Sequence, residues 1–102
     1  MPEGSKPKGY WVAHVDVDDM ERYKEYIAAN AAPFAEYGAR FLVRGGPREL
    51  REGALRARTV VIEFPDFETA KACYDSIAYQ DAKALRDPVS TGDMAIIEGY
   101  GG

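Results

Sequence analysis

The side chains best suited to chemistry lie in two of the predicted strands. His14 is the only histidine of the chain, and an imidazole beside a carboxylate can transfer protons near neutral pH. Glu63 supplies such a carboxylate, in a strand that we expect to lie beside that of His14. Both are therefore candidate catalytic residues. The alternative for His14 is a structural hydrogen bond to Asp16, to Glu63 or to a second subunit.

A second candidate feature surrounds Arg44, which is followed directly by Gly45 and Gly46. A guanidinium group can hold a carboxylate or phosphate through two parallel hydrogen bonds. With Tyr10, these residues make up the candidate ligand-binding set. The alternative is a simple turn at the two glycines and an ion pair of Arg44 with Glu63, because Gly-Gly alone lacks the pattern of a phosphate-binding loop.

Three aromatic residues and the single cysteine can be interpreted as structural or as functional residues. Trp11, Tyr74 and Tyr79 could wall a pocket, since aromatic side chains dominate ligand clefts, but their spacing suits the core of the domain. No histidine or local basic charge stands beside Cys73 to activate it, so we expect this thiol to serve packing.

Composition excludes several classes of protein. The 102 residues carry a formal net charge of -4, which argues against a nucleic-acid partner. A single cysteine excludes an internal disulfide framework, and the sequence offers no motif for a metal or an organic cofactor. No apolar run is long enough to span a membrane and the N-terminus lacks the apolar core of a signal peptide, so a cytoplasmic location without a membrane partner is expected.

The elements that must position these side chains follow from periodicity and capping. Residues 1–8 are expected to form a flexible lead-in, and 9–102 a single domain. The pattern predicts strands over 10–17, 40–44, 59–64 and 93–100, a helix capped by Asp18 and interrupted at Pro33, and a helix capped by Asp66 that restarts at Ser76. This order predicts an α+β fold, a ferredoxin-like βαββαβ unit with a four-stranded antiparallel sheet and helices on one face.

Strand alternation then assigns side chains to the two faces of the sheet. We expect the uniformly apolar sets, including Ala95 and Ile97, to lie under the helices. The uncovered face should carry Tyr10, Val12, His14, Leu42, Arg44, Val61, Glu63, Met94 and Ile96. Large apolar groups on an open face indicate an interaction surface, so a two-fold dimer that encloses a cleft is expected.

Four segments of the chain resemble a known protein family. The segments KGYWVAHVDVDDMERYKEY (8–26), ANAAPFAEYGARFLVRGG (29–46), RTVVIEFPDFETAKACYDS (58–76) and YQDAKALR (79–86) are similar to the bacterial domain of unknown function 1330, of the dimeric α+β barrel superfamily. The resemblance implies two protomers that meet sheet to sheet, and it implies no established activity. Superfamily relatives include lactone isomerases, cofactor-free oxygenases and haem-degrading monooxygenases, which use the cleft between sheet and helices or the inside of the barrel. None of their catalytic motifs maps onto this chain.

Two functional hypotheses remain open. In the first, a homodimer binds a small carboxylated metabolite in a cleft on the sheet face and turns it over by proton transfer, without a cofactor. In the second, the dimer is a structural or accessory protein, and the charges in its cleft form ion pairs between the two sheets.

Overall fold

A computed structural model of the protein describes residues 6–101, so the predicted lead-in over 1–8 lies mostly outside the described residues. The elements are β1 (Gly9–Val17), α1 (Met20–Glu36), β2 (Arg40–Arg44), β3 (Arg58–Phe64), α2 (Phe67–Asp75), α3 (Ile77–Arg86) and β4 (Ser90–Glu98). A short 3-10 turn, Asp87–Val89, occupies part of the predicted loop before β4.

The four strands form one antiparallel sheet in the order β2-β3-β1-β4. β1 and β3 are central, as a split βαβ topology requires, and the helices pack on one face. The predicted ferredoxin-like α+β fold is confirmed. Within residues 6–101, none of the helices has the length and hydropathy to cross a membrane.

Capping residues set the helix boundaries. Asp66 caps α2 by accepting a hydrogen bond from the Thr69 amide at 2.7 Å, as predicted. The cap of α1 is Asp19, whose Oδ1 accepts from the Arg22 amide, so the prediction of Asp18 is wrong by one residue. Pro33 does not interrupt α1, which continues through it to Glu36.

The core lies between the sheet and the helices and is built on Trp11. Its indole Nε1 donates to the Ala70 carbonyl at 2.9 Å, and its ring meets those of Phe34 and Tyr79 edge-on, with centroids 5.3 and 4.8 Å apart. Trp11 and Tyr79 are thus core residues, with Tyr74 partly buried against them. The pocket interpretation also holds for Trp11 and Tyr79, because both line a cavity next to this core. Cys73 is fully buried, and burial, followed by the nearby Glu36, raises the pKa of its thiol to about 12, which suits packing.

Two face assignments made from strand alternation are wrong. In β4 the register pairs Ile96 with Trp11 and Met94 with Ala13, so Ile96 and Met94 face the helices while Ile97 faces outward. In β2 a bulge lies between Phe41 and Val43. Because a bulge inserts one residue into a strand, it reverses the facing of every side chain that follows.

Candidate functional site

The open face of the sheet holds three of the predicted site residues. The Tyr10 hydroxyl donates to Glu63 Oε2 at 3.1 Å, and His14 Nδ1 lies 3.1 Å from Thr59 Oγ1. Tyr10 pairs with Glu63 and His14 with Thr59 in the register, so Glu63 and His14 are four positions apart along the sheet, about 13 Å. The expectation that they are neighbours is wrong, and each hydrogen-bonds a partner other than those expected.

Arg44 lies on the opposite face. Beyond the bulge it pairs with Val60, which faces the helices, and its guanidinium stacks 4.1 Å from the Phe41 ring centroid. The predicted cleft on the open face, lined jointly by His14, Arg44 and Glu63, is therefore wrong, because the bulge removes the arginine from it.

Arg44 instead borders a cavity of about 90 Å³ between the sheet and the helices α1 and α3. The sheet side of its lining is largely apolar but includes charged residues, and the helix side is largely aromatic. Besides its arginines, the sheet contributes Trp11, Ala13, Val15, Phe41, Val60, Ile62, Gly92, Asp93 and Met94, and the helices contribute Tyr23, Tyr26, Ile27, Asn30, Phe34 and Tyr79. A mainly apolar cavity with a few polar groups is the usual form of a small-molecule site.

Three arginines, Arg44, Arg58 and Arg86, also line this cavity. Arg86 is paired with Asp87, at 3.1 Å. Within residues 6–101, no carboxylate lies within 4.0 Å of the guanidinium groups of Arg44 or Arg58. The Nε of Arg58 is buried and has no hydrogen-bond partner in this part of the chain. The arginines of the lining outnumber its one carboxylate, Asp93, which is itself paired with Arg56 at 3.0 Å.

Gly45 accommodates Arg58. Its φ is +67°, and its amide donates to the Thr59 carbonyl at 2.9 Å. A Cβ added to Gly45 would clash with the Arg58 guanidinium, whereas one added to Gly46 would meet nothing within 4 Å. Of the two glycines predicted to bind a ligand, Gly45 leaves the space that the Arg58 side chain occupies, and Gly46 has no such contact.

Buried tyrosines supply the remaining polar atoms. The hydroxyls of Tyr26 and Tyr79 are 2.8 Å apart, and Arg86 Nε donates to the Tyr79 hydroxyl at 3.4 Å. Burial, and then Tyr79, raise the pKa of Tyr26 above its ordinary value, and burial likewise raises the pKa of Tyr79. Both phenols are therefore neutral at physiological pH.

Sequence reasoning missed Arg86, Tyr26 and Asn30, and it placed Tyr23 only on the buried face of the first helix. Arg58 belongs to an arginine-rich segment that could attract an anionic ligand, but from the sequence alone a solvated loop or a dimer contact is the favoured interpretation of that segment. For Arg58 a signal existed: β3 begins one residue earlier than predicted, and alternation with Val60 and Ile62 places Arg58 on the helix side. For Tyr23 and Tyr26, the spacing of three residues puts both on one helical face. Within the described chain, no group of three His, Cys, Asp or Glu residues is placed to hold a metal ion.

The chain matches one known protein family over almost its whole length. The model of a family described as Domain of unknown function (DUF1330) matches residues 8–100. The chain belongs to this family. Among curated proteins, none matches the DUF1330 chain in sequence.

Solved structures share the fold of this DUF1330 protein at low sequence identity. A protein of unknown function from Rhodopseudomonas palustris is 12% identical, with a TM-score of 0.74 over 95% of this chain and 85% of that one. The cofactor-independent oxygenase SnoaB from Streptomyces nogalater is 14% identical, with a TM-score of 0.63 over 94% and 96% of the two chains. A dimeric ferredoxin-like protein of unknown function from Thermobifida fusca is 16% identical, with a TM-score of 0.62 over 91% and 92%. These similarities establish the fold.

Proposed function

We propose that the protein binds a small organic acid in the cavity between its sheet and helices. The observation that carries the proposal is Arg58, whose buried Nε lacks a partner within residues 6–101 and whose guanidinium, like that of Arg44, has no carboxylate beside it there. A buried donor without an acceptor costs free energy. A bound carboxylate would supply that acceptor and neutralise the charge.

The rest of the lining selects the body of the ligand. Trp11, Phe34 and Phe41 present ring surfaces, and Val60 and Ile62 add aliphatic ones. Such walls favour an apolar, preferably planar group, because burying apolar surface is the main source of binding free energy. A small apolar carboxylate combines this body with the negative charge that Arg58 lacks beside it within residues 6–101.

The same proposal includes a homodimer that forms through the open face of the sheet. The side chains of Val12, Val61, Ala95 and Ile97 share this face by register, and no helix of residues 6–101 covers it. One relative of the same fold is described as dimeric. A cytoplasmic location stays a prediction from composition alone.

Turnover is a separate question from binding. The relative SnoaB is a cofactor-independent oxygenase, so the fold accommodates chemistry on small molecules. Proton transfer by His14 and Glu63 stays a prediction, and their separation argues against a joint action on one substrate within one protomer. In the alternative hypothesis, a purely structural dimer, the cavity would have no ligand.

A matched ligand and variant series tests binding. Single-ring and short-chain carboxylates, each beside its amide, are screened by thermal shift and then titrated against the fluorescence of Trp11, the only tryptophan of the chain. We expect carboxylates to bind and amides to bind far more weakly. Arg58→Gln should weaken carboxylate binding at least about tenfold, as expected for a charged hydrogen bond.

The control is Arg51→Gln, which removes an arginine that is 80% exposed and paired with Glu49. This variant should bind carboxylates like the unmodified protein. If carboxylates and amides bind equally, or if no compound in the panel binds to the folded protein, the proposal of an organic-acid site is wrong.

A further inference from the structure

A second, larger space adjoins the cavity of the proposed organic-acid site. It is an open cleft of about 490 Å³ between the edge strand β4 and the helices α2 and α3. Arg86, Gly92 and Met94 line both the inner cavity and this outer cleft. The two spaces therefore meet at these three residues.

The register of the sheet gives the distance from Arg58 to this meeting point. Arg58 pairs with Val15, and Val15 pairs with Gly92, so the three residues form one row across β3, β1 and β4. Neighbouring strands lie about 4.8 Å apart, so the backbones of Arg58 and Gly92 are separated by two such spacings, about 10 Å. Gly92 has no side chain to close the row at β4. A molecule held at Arg58 can therefore extend over Val15 and Gly92 into the outer cleft.

The volume of the inner cavity limits what it can hold by itself. A cavity of about 150 Å³ holds benzene, whereas the inner cavity measures about 90 Å³. Ligand pockets commonly measure about 300–1,000 Å³, a size that is reached only by the cavity and the cleft together. An acid with more than a few carbons must therefore extend past Arg86.

The cations of the outer cleft already have a partner. Asp87 accepts from Lys83 Nζ at 2.8 Å through Oδ2 and from Arg86 Nη1 at 3.1 Å through Oδ1. The apolar part of the wall consists of three half-buried side chains, those of Tyr74, Met94 and Ile96. The outer cleft therefore suits an uncharged hydrocarbon tail, which would remove this apolar surface from water.

Resting on the proposed organic-acid site, we propose that the ligand is a medium-chain aliphatic acid whose tail binds in the outer cleft. Its carboxylate lies at Arg58, its first carbons fill the inner cavity, and its remaining carbons pass Arg86 to cover Met94 and Ile96. Ile96 lines the outer cleft and not the inner cavity. It is therefore the residue that determines specificity for the length of the ligand.

A series of straight-chain acids tests the inference on the full-length protein. Butyrate, hexanoate and octanoate are compared by isothermal titration calorimetry, below the concentrations at which they form micelles. Burial of each added methylene strengthens binding by up to about fourfold, so octanoate should bind at least about tenfold more tightly than butyrate. An affinity that stays level or falls beyond butyrate overturns the inference while the organic-acid site stands. Absence of binding by every acid overturns the organic-acid site itself.

Ile96→Ala tests where the tail lies. This variant should weaken octanoate binding at least about threefold, through loss of apolar contact, and leave butyrate binding unchanged. The matched control is Ile77→Ala, which removes the same atoms from the 80% exposed first residue of α3, a residue that lines neither space. It should change the affinity for neither acid.

Methyl NMR of the unmodified protein gives a second measurement, which does not depend on the folding of a variant. Octanoate should shift the methyl signals of Ile96 more than butyrate does, and neither acid should shift those of Ile77. An undiminished preference for octanoate in folded Ile96→Ala, or Ile96 signals that respond equally to the two acids, overturns the inference.

Discussion

At the scale of single residues, the proposed binding site depends on the side chain of Arg58. Arg58 keeps a buried donor without a partner within the described residues, and Gly45 leaves room for its guanidinium. A buried polar group without a partner destabilises a fold, so it is commonly kept where a ligand completes it.

Replacing Gly45 by alanine should impair binding as well as stability. Its positive φ and its contact with Arg58 both oppose a Cβ, so the Arg58 guanidinium must move. We expect Gly45→Ala to weaken carboxylate binding at least about fivefold and to lower the free energy of unfolding by about 1–2 kcal/mol. Fluorescence titration and urea denaturation measure the two effects.

Two other glycines serve as controls. Gly53 has a φ of +71° but would meet nothing within 4 Å as alanine, and Gly46 has open space around it. Gly53→Ala should destabilise the fold without changing affinity, and Gly46→Ala should change little. If Gly53→Ala weakened binding as much as Gly45→Ala, the effect would be general backbone strain and not displacement of Arg58.

At the scale of elements, the break between α2 and α3 points α3 toward the cavity. Ser76 serves both helices: its hydroxyl donates to the Cys73 carbonyl at 2.7 Å and accepts from the Tyr79 amide at 3.2 Å. The restart predicted at Ser76 is confirmed, and it matters because α3 carries both Tyr79 and Arg86.

Loss of this cap should destabilise the fold. Ser76→Ala should lower the free energy of unfolding by about 1 kcal/mol, measured by urea denaturation. Ser76→Asn, which keeps an oxygen acceptor, should recover most of this loss. Equal stability of the alanine variant and the unmodified protein would show that packing alone fixes the start of α3.

At the scale of the whole molecule, the proposed dimer depends on the open face of the sheet. Ile97 on this face is 47% exposed, and Leu85 on α3 is 41% exposed, so the two are matched in exposure but lie on opposite sides. A charge in a sheet-to-sheet interface would lose its water without gaining a partner. Ile97→Lys should therefore give a monomer, whereas Leu85→Lys should remain dimeric.

Light scattering coupled to size-exclusion chromatography measures both masses. A dimer that persists in Ile97→Lys and dissociates in Leu85→Lys would place the interface on the helices. A monomeric unmodified protein would remove the dimer from the proposal.

The order of elements followed from the sequence because it depends on local signals. Alternation in Thr59–Phe64 and the cap at Asp66 are set by neighbouring residues, and the structure has both of them. With right-handed crossovers, these signals leave few topologies other than the ferredoxin-like fold.

The composition of the site did not follow, because it depends on pairing between strands. A bulge in β2 reverses Arg44, and the register of β4 against β1 reverses Ile96 and Ile97. Neither the bulge nor the register can be predicted from the residues of one strand, because both depend on which residues of the neighbouring strand lie opposite. The sequence by itself determined the elements and the sheet. Only the tertiary structure decided that Arg44 joins Arg58 and the buried tyrosines, because one inserted residue moves its side chain across the sheet.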